Sequence, residues 1–328
     1  MNSYGKDADF FWLIDTGIFA DYADFMKKIF LIPLLILSSL LPLFSQSSVH
    51  GMKVSAPNGA PAICVASIAE KNPDDFTFVS SETISACFAN ARDDFIIAPV
   101  NAGAKIYRSG KSSYKLAAVV TWGNLYFASQ RKNFTLADIK KYGVTLFGEN
   151  TINASVALFA LEKNGAAPKK VEYLAGASNT QALLLSDKNA IVLTAEPALS
   201  AAKMKNPQIK SFSLNELFKN ATGFDGYAQA GLFVKVETAK NHPDEVRAFI
   251  DEVKKSCGLC KTDVALVAKI CAELQILPNA KVAEKAIPSC AVRFVSALDA
   301  KKMVESTAKI DLKQFGGSIP ENDFYFSF

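Results

Sequence analysis

From residue 53 to residue 213, short β-rich runs alternate with segments of helical periodicity. That alternation argues for a parallel sheet covered by helices. Residues 53–56, 76–80, 94–100 and 114–121 read as strands, with 60–70, 82–91 and 101–109 as the helices between them. The pattern then repeats: strands over 125–130, 143–147, 171–175, 190–194 and 210–213, helices over 136–142, 151–164, 179–186, 196–205 and 215–220. After Gly223 one strand candidate remains, 231–236, and the rest of the chain reads as mostly helical. His242-Pro243-Asp244-Glu245 sets a proline and two acids in a first helical turn. Val246, Phe249, Ile250 and Val253 follow at the i, i+3, i+4, i+7 spacing of one apolar face. Further helices fit 262–274, 281–286 and 298–309.

Two α/β units and a helical C-terminal third describe two lobes. The first combines 46–122 with 223–328, and the second is 123–222. The chain would enter the second lobe near 122–130 and return near 223–232. A cleft between lobes, lined by loops at the strand C-termini, is then the expected ligand site.

Residues ahead of this pattern read as targeting. Met26-Lys27-Lys28 precedes an uncharged apolar stretch, 29–44, and then Ser45-Gln46-Ser47-Ser48. This is the layout of a cleaved secretory signal over 26–45. No cysteine follows the apolar stretch to take a lipid. Residues 1–25 carry five aspartates against Lys6, which does not suit a signal and points to translation from Met26. Export places the folded chain in a periplasm or outside the cell, in an oxidising compartment.

Composition narrows the chemistry. The 36 Lys and Arg against 32 Asp and Glu leave a charge of +4, too mild to argue for a nucleic-acid partner. Only His50 and His242 are available to a catalytic triad or a histidine-rich metal site. Gly-x-Gly-x-x-Gly and P-loop patterns are absent, and no cofactor is expected.

The segment Gly231-Leu-Phe-Val-Lys235, followed after six residues by His242-Pro-Asp-Glu-Val-Arg-Ala-Phe-Ile250, resembles the substrate-binding proteins of ABC importers. The branch is the one that serves nitrate, sulfonates, taurine and thiamine precursors, in which such a segment marks the return to the first lobe. Thr194-Ala195-Glu196-Pro197 is similar to that branch's strand-end turn facing the cleft. The resemblance runs from about Met52 to the C-terminus. It implies a two-lobe periplasmic-binding-protein fold of type II and a monomeric receptor that closes on a small solute. It further implies docking on a permease served by an ATPase, with the membrane met only through that permease. The cysteine-rich C-terminal third departs from the branch.

Six loops are expected to line the cleft: 55–61, 99–103, 121–124, 148–151, 194–197 and 225–229. Their charges are Glu149, Glu196 and Asp225, and none holds Arg or Lys. That balance favours a neutral or cationic solute with a flat ring over an anion. Asn58 and Gly59 read as a turn that can also approach a ligand. Asn101 reads first as a helix cap. Trp122 offers a ring for stacking or for packing at the crossover, beside Asn124. Asn150 or Thr151 would cap the next helix. Glu196 is favoured at a helix start by the dipole, and in a cleft would accept from ring N–H or amine donors. Tyr227 and Gln229 add a ring and an amide.

The cysteines at 64, 87, 257, 260, 271 and 290 all fall in the expected first lobe. Cys257-Gly-Leu-Cys260 has redox spacing but follows a long helix, so a structural disulfide joining Cys257 or Cys260 to Cys271 or Cys290 is the expectation. Zinc is not expected, since no histidine accompanies the cluster. The main reading is thus a receptor for a heteroaromatic solute and not an enzyme. Its rivals are an anion receptor of the same branch, a thiol–disulfide enzyme and a thiamine-pyrimidine enzyme.

Overall fold

Strands sort into two sheets in the computed structural model, which describes residues 51–328. The signal over 26–45, the segment 1–25 and His50 lie outside the described residues. The strands are β1 (Val54–Pro57), β2 (Phe76–Val79), β3 (Phe95–Pro99), β4 (Tyr114–Thr121), β5 (Leu125–Ser129), β6 (Val144–Phe147), β7 (Val171–Leu174), β8 (Ile191–Ala195), β9 (Lys210–Ser213), β10 (Ala230–Lys235) and β11 (Val292–Ser296). The first sheet has six strands in the order β11-β4-β10-β3-β1-β2, the second five in the order β7-β6-β8-β5-β9.

Each sheet is a parallel set with one antiparallel strand inserted, and the first also ends on an antiparallel edge strand, β11. In the first, β1 runs parallel to β2 and β3, while β10 lies antiparallel between β3 and β4. In the second, β6 is parallel to β7 and β8, and β5 lies antiparallel between β8 and β9. The two inserted strands, β5 and β10, are the ones that follow a crossing between sheets. Phe95-Ile96-Ile97-Ala98 and Leu116–Val120 are buried on both faces, as strands covered by helices on two sides must be.

The helical C-terminal third packs on the first sheet, as its apolar spacing requires. Val246, Phe249 and Val253 of the Pro243–Thr262 helix are buried, and the Phe249 ring stacks on Phe95 with centroids 4.2 Å apart. This third is not wholly helical, however. Val292-Arg-Phe-Val-Ser296 forms the edge strand β11, antiparallel to β4. Its short run of apolar and polar residues is strand-like, and the neighbouring helical patterns hid it. Beyond the end of β11 the C-terminal tail takes its place along β4. Phe326 N donates to Leu116 O at 2.7 Å, and the Phe324 ring is buried beside Phe233.

The Val100–Arg108 helix lies close on β10 because Gly103 has no side chain. A Cβ there would sit 2.2 Å from Phe233 Cζ. Phe233 cannot retreat, being held edge-on by Phe88 at 5.1 Å and flanked by Phe324. Gly103→Ala should therefore destabilise by about 1–3 kcal/mol, as overpacked cores do. Thermal unfolding would report this as a Tm about 3–8 °C lower.

Candidate functional site

Two chain segments cross between the sheets, 122–124 outward and 223–229 on the return, and they run side by side. Gly226 has φ +98°, and a Cβ there would meet the Trp122 carbonyl oxygen at 2.4 Å. Asn215 Nδ2 donates to Gly123 O at 2.8 Å, and Gln229 N donates to Thr121 O at 3.1 Å. The crossing is thus tied by one side-chain and one backbone hydrogen bond.

Trp122 is buried at this crossing. Its indole N–H donates to Arg293 O at 2.8 Å, and the Arg293 guanidinium lies over its ring, 4.7 Å from the centroid. Arg293 comes from β11, outside every loop expected to line the cleft. Its Nη2 donates to Asp225 O at 3.1 Å and its Nη1 pairs with the Asp225 carboxylate at 3.4 Å, while Nε is buried with no partner. Sequence reasoning missed this cation because it missed the strand that carries it.

Asn124, Glu196 and Gln229 form one connected network. Asn124 Nδ2 donates to Glu196 O at 3.0 Å, and Gln229 Nε2 donates to Asn124 Oδ1 at 2.9 Å. These three come from the outward crossing, the C-end of β8 and the return crossing. Glu196 is buried at the start of a turn with a cis bond to Pro197. Its carboxylate accepts from Ser200 N and Ser200 Oγ, each at 3.0 Å. Burial pushes its carboxyl pKa up, and the Ser200 bonds and the Lys203 charge pull it partly back. Ser200, four residues on, is a partner that the helical spacing could have revealed.

Tyr227 is fully buried, and its hydroxyl donates to Asn153 Oδ1 at 3.1 Å. Burial alone pushes this phenol well above its ordinary range. Thr151 caps the Ile152–Lys163 helix: its Oγ1 accepts from Ala154 N at 3.4 Å and donates to Gly148 O at 2.6 Å. Asn150 stands just outside that helix at φ +58°, and its carbonyl accepts from Gln314 Nε2 at 2.7 Å.

The first-lobe candidates stand apart from this network. Asn58 is exposed and its N–H donates to Val79 O, while Gly59 N donates to Ile276 O at 3.2 Å. Asn101 does not cap its helix. The cap position belongs to Pro99, and the Asn101 Oδ1 is buried with no partner. Other bonds join the lobes directly. Ser155 Oγ donates to Asp311 Oδ2 at 2.7 Å, and Tyr126 OH donates to Ser289 O at 2.9 Å.

All six cysteines are free thiols, so the disulfide expected among Cys257, Cys260, Cys271 and Cys290 is not formed. Cys257 and Cys260 lie one turn apart on the Pro243–Thr262 helix and both are buried, away from the exposed surface a redox site needs. His242 is exposed ahead of the same helix, with Glu245 3.8 Å away. Among the described residues, no group of three or more His, Cys, Asp or Glu is arranged to hold a metal ion. No helix among them is long and apolar enough to cross a membrane.

No family model and no curated protein matches the sequence. Solved structures do match. An ABC transporter protein from Parabacteroides distasonis is 23% identical, covers 84% of this chain and 98% of its own, and superposes with a TM-score of 0.73. The periplasmic aliphatic sulphonate-binding protein SsuA from Escherichia coli is 12% identical over 84% of this chain and 92% of its own, with a TM-score of 0.62. The fold is that of the periplasmic binding proteins. The periplasmic nitrate-binding protein NrtA from Synechocystis shares it at 10% identity, over 83% of each chain, with a TM-score of 0.56.

Proposed function

We propose that this chain is an extracytoplasmic receptor that captures a small neutral or cationic heteroaromatic solute between its lobes and delivers it to an ABC permease. The observation that carries this reading is the network of Asn124, Glu196 and Gln229, in which both crossings and the end of β8 meet at the Glu196 backbone carbonyl, with the carboxylate of that residue buried at the same turn. Neutral amides and an acid suit ring N–H and amino donors. The fold supports the rest: a hinge motion closes the lobes on the solute, and the closed form is the one a permease would take up. Binding, not catalysis, is the work such a cleft performs. His242, exposed ahead of its helix, offers it no general base.

Arg293 favours a second reading. Its guanidinium stands at the hinge with one N–H unpartnered, and an anion could draw it away from Asp225. Two of the similar structures are named for the anions sulphonate and nitrate.

A thermal-shift screen separates the readings, since a ligand that binds the folded state raises Tm by linkage. Thiamine precursors and flavins are expected to raise it, and Trp122 fluorescence should respond as the hinge around it moves. Stabilisation by nitrate or sulfonates alone would establish the anion reading in place of the first.

A further inference from the structure

We propose that the end of the second lobe away from the crossing is a docking surface for an anionic lipid bilayer, so that the chain meets a membrane directly and not only through a permease. β5 runs away from the crossing, and β8 and β9 pair with it antiparallel. The end of β5 therefore lies beside the starts of β8 and β9, and parallel pairing sets the starts of β6 and β7 at the same end. Four segments meet there: 130–143, 167–172, 186–190 and 204–210. Hydrogen bonds stitch them into one surface. Gln130 Oε1 accepts from Asn206 Nδ2 at 2.8 Å, and Arg131 Nε donates to Asn189 O at 3.1 Å. Val144 N, next to Gly143, donates to Lys170 O at 3.0 Å.

Positive charge gathers on this surface. Its four segments hold nine Lys and Arg against Asp138, Glu172 and Asp187, a net of +6. The chain carries +4, and its first 50 residues hold three lysines against five aspartates, so the described residues carry +6 in all. Their whole excess is thus concentrated at one pole, and the remainder balances. Eight of the nine cations are exposed, and among the described residues only Lys170 of the nine forms an ion pair, with Glu172 at 2.6 Å.

Apolar side chains stand among the cations. Tyr142 is 47% exposed and Met204 39%, and these are the large hydrophobic side chains that the second lobe exposes. The Arg131 guanidinium lies 4.1 Å from the Tyr142 ring centroid, and Lys141 Nζ 4.9 Å. This mixture favours a bilayer over a soluble polyanion. A tyrosine sits well at headgroup level, with its ring towards the acyl chains and its hydroxyl in water, and a methionine gains from the same apolar boundary. Flexible lysine stems let the ammonium groups reach lipid phosphates around them. Each Lys or Arg held at an anionic surface is worth about fivefold in affinity, and salt screens that gain.

The test is co-sedimentation of the full chain with two kinds of vesicle, phosphatidylcholine alone and phosphatidylcholine with phosphatidylglycerol in about equal parts. The ratio of the two affinities is the readout, because attachment through the apolar stretch 29–44 is common to both. The ratio should be about 100-fold or more at low salt and should collapse as the salt rises from about 0.05 to about 0.3 M. Lys140→Gln/Lys141→Gln/Lys169→Gln should cut it at least about tenfold while leaving Tm unchanged. Lys240→Gln/Lys254→Gln/Lys261→Gln makes the same charge change on exposed lysines of the first lobe and should leave the ratio as it is. A ratio near one, a ratio that the first triple variant keeps, or an equal loss in the second would overturn the proposal. Binding of heparin with no preference for the charged vesicles would assign the surface to a soluble polyanion and overturn it too.

Discussion

Replacing Gly226 with alanine should lower Tm by about 6–10 °C, the size expected for a loss of about 3 kcal/mol. Two costs add there. The residue sits at φ +98°, which charges an L-side chain about 1–2 kcal/mol. The new methyl would also stand 2.4 Å from the Trp122 carbonyl oxygen, and this neighbour is backbone, unable to rotate aside. Trp122 itself is pinned through its indole N–H to Arg293 O and cannot give way without breaking that bond. Gly223 supplies the control. Its φ is +80° but nothing lies within 4 Å of its Cβ position, so Gly223→Ala should carry the conformational cost of about 1 kcal/mol and no more. If both variants lose stability equally, close contact between the two crossings is not what Gly226 provides. In the proposed receptor the same contact would set the hinge axis, so Gly226→Ala should also weaken ligand binding beyond what its lower stability explains.

The fold was legible because its signal is local. Strand–helix alternation and the apolar face at Val246, Phe249 and Val253 both survive in the structure, with most boundaries moved by a residue or two. What local pattern could not reveal is which distant segments meet. The strand Val292–Ser296 is short and flanked by helices, and reading it as part of a helical third concealed Arg293, the one cation that the described structure sets against Trp122. None of the loops expected to line the cleft carries Arg or Lys, yet a strand outside them sets Arg293 at the crossing. The cysteines show the same limit. Spacing along the chain drew attention to Cys257 and Cys260 as neighbours, whereas folding buries both in one core with the distant Cys64, Cys271 and Cys290. Asn101 fails differently. Its side chain type suits a cap, but Pro99 takes that position because its own backbone already has the extended ψ that precedes a helix. Asn124, Glu196 and Gln229 were chosen one by one for chemistry, and their linkage into a network emerged only from the topology.

Glu196→Gln should raise stability at neutral pH while removing affinity for a cationic or N–H-donating solute. Burial dominates at this carboxyl and raises its pKa in the folded protein above its unfolded value. The sign follows from linkage. An acid whose folded pKa is raised contributes stability below its unfolded pKa and loses it as pH climbs through the folded one. At pH 7 the wild type carries the cost of a buried charge, and glutamine does not. The amide can keep the local bonds, its oxygen accepting from Ser200 N and its nitrogen donating to Ser200 Oγ. A Tm gain of about 2–4 °C at pH 7 is expected, shrinking as pH falls toward the range where the wild-type carboxyl is protonated. The cost that the wild type tolerates needs a return, and binding is where it would come. A hydrogen bond to a charged acceptor is worth about 1.5–3 kcal/mol, so affinity should fall about 10- to 150-fold. Calorimetric titration of both proteins with the ligand found in the thermal-shift screen would check this. Unchanged affinity would remove Glu196 from the binding site. Tighter binding of an anion by Glu196→Gln would shift the site's chemistry to Arg293, because removing a negative charge favours an anionic guest.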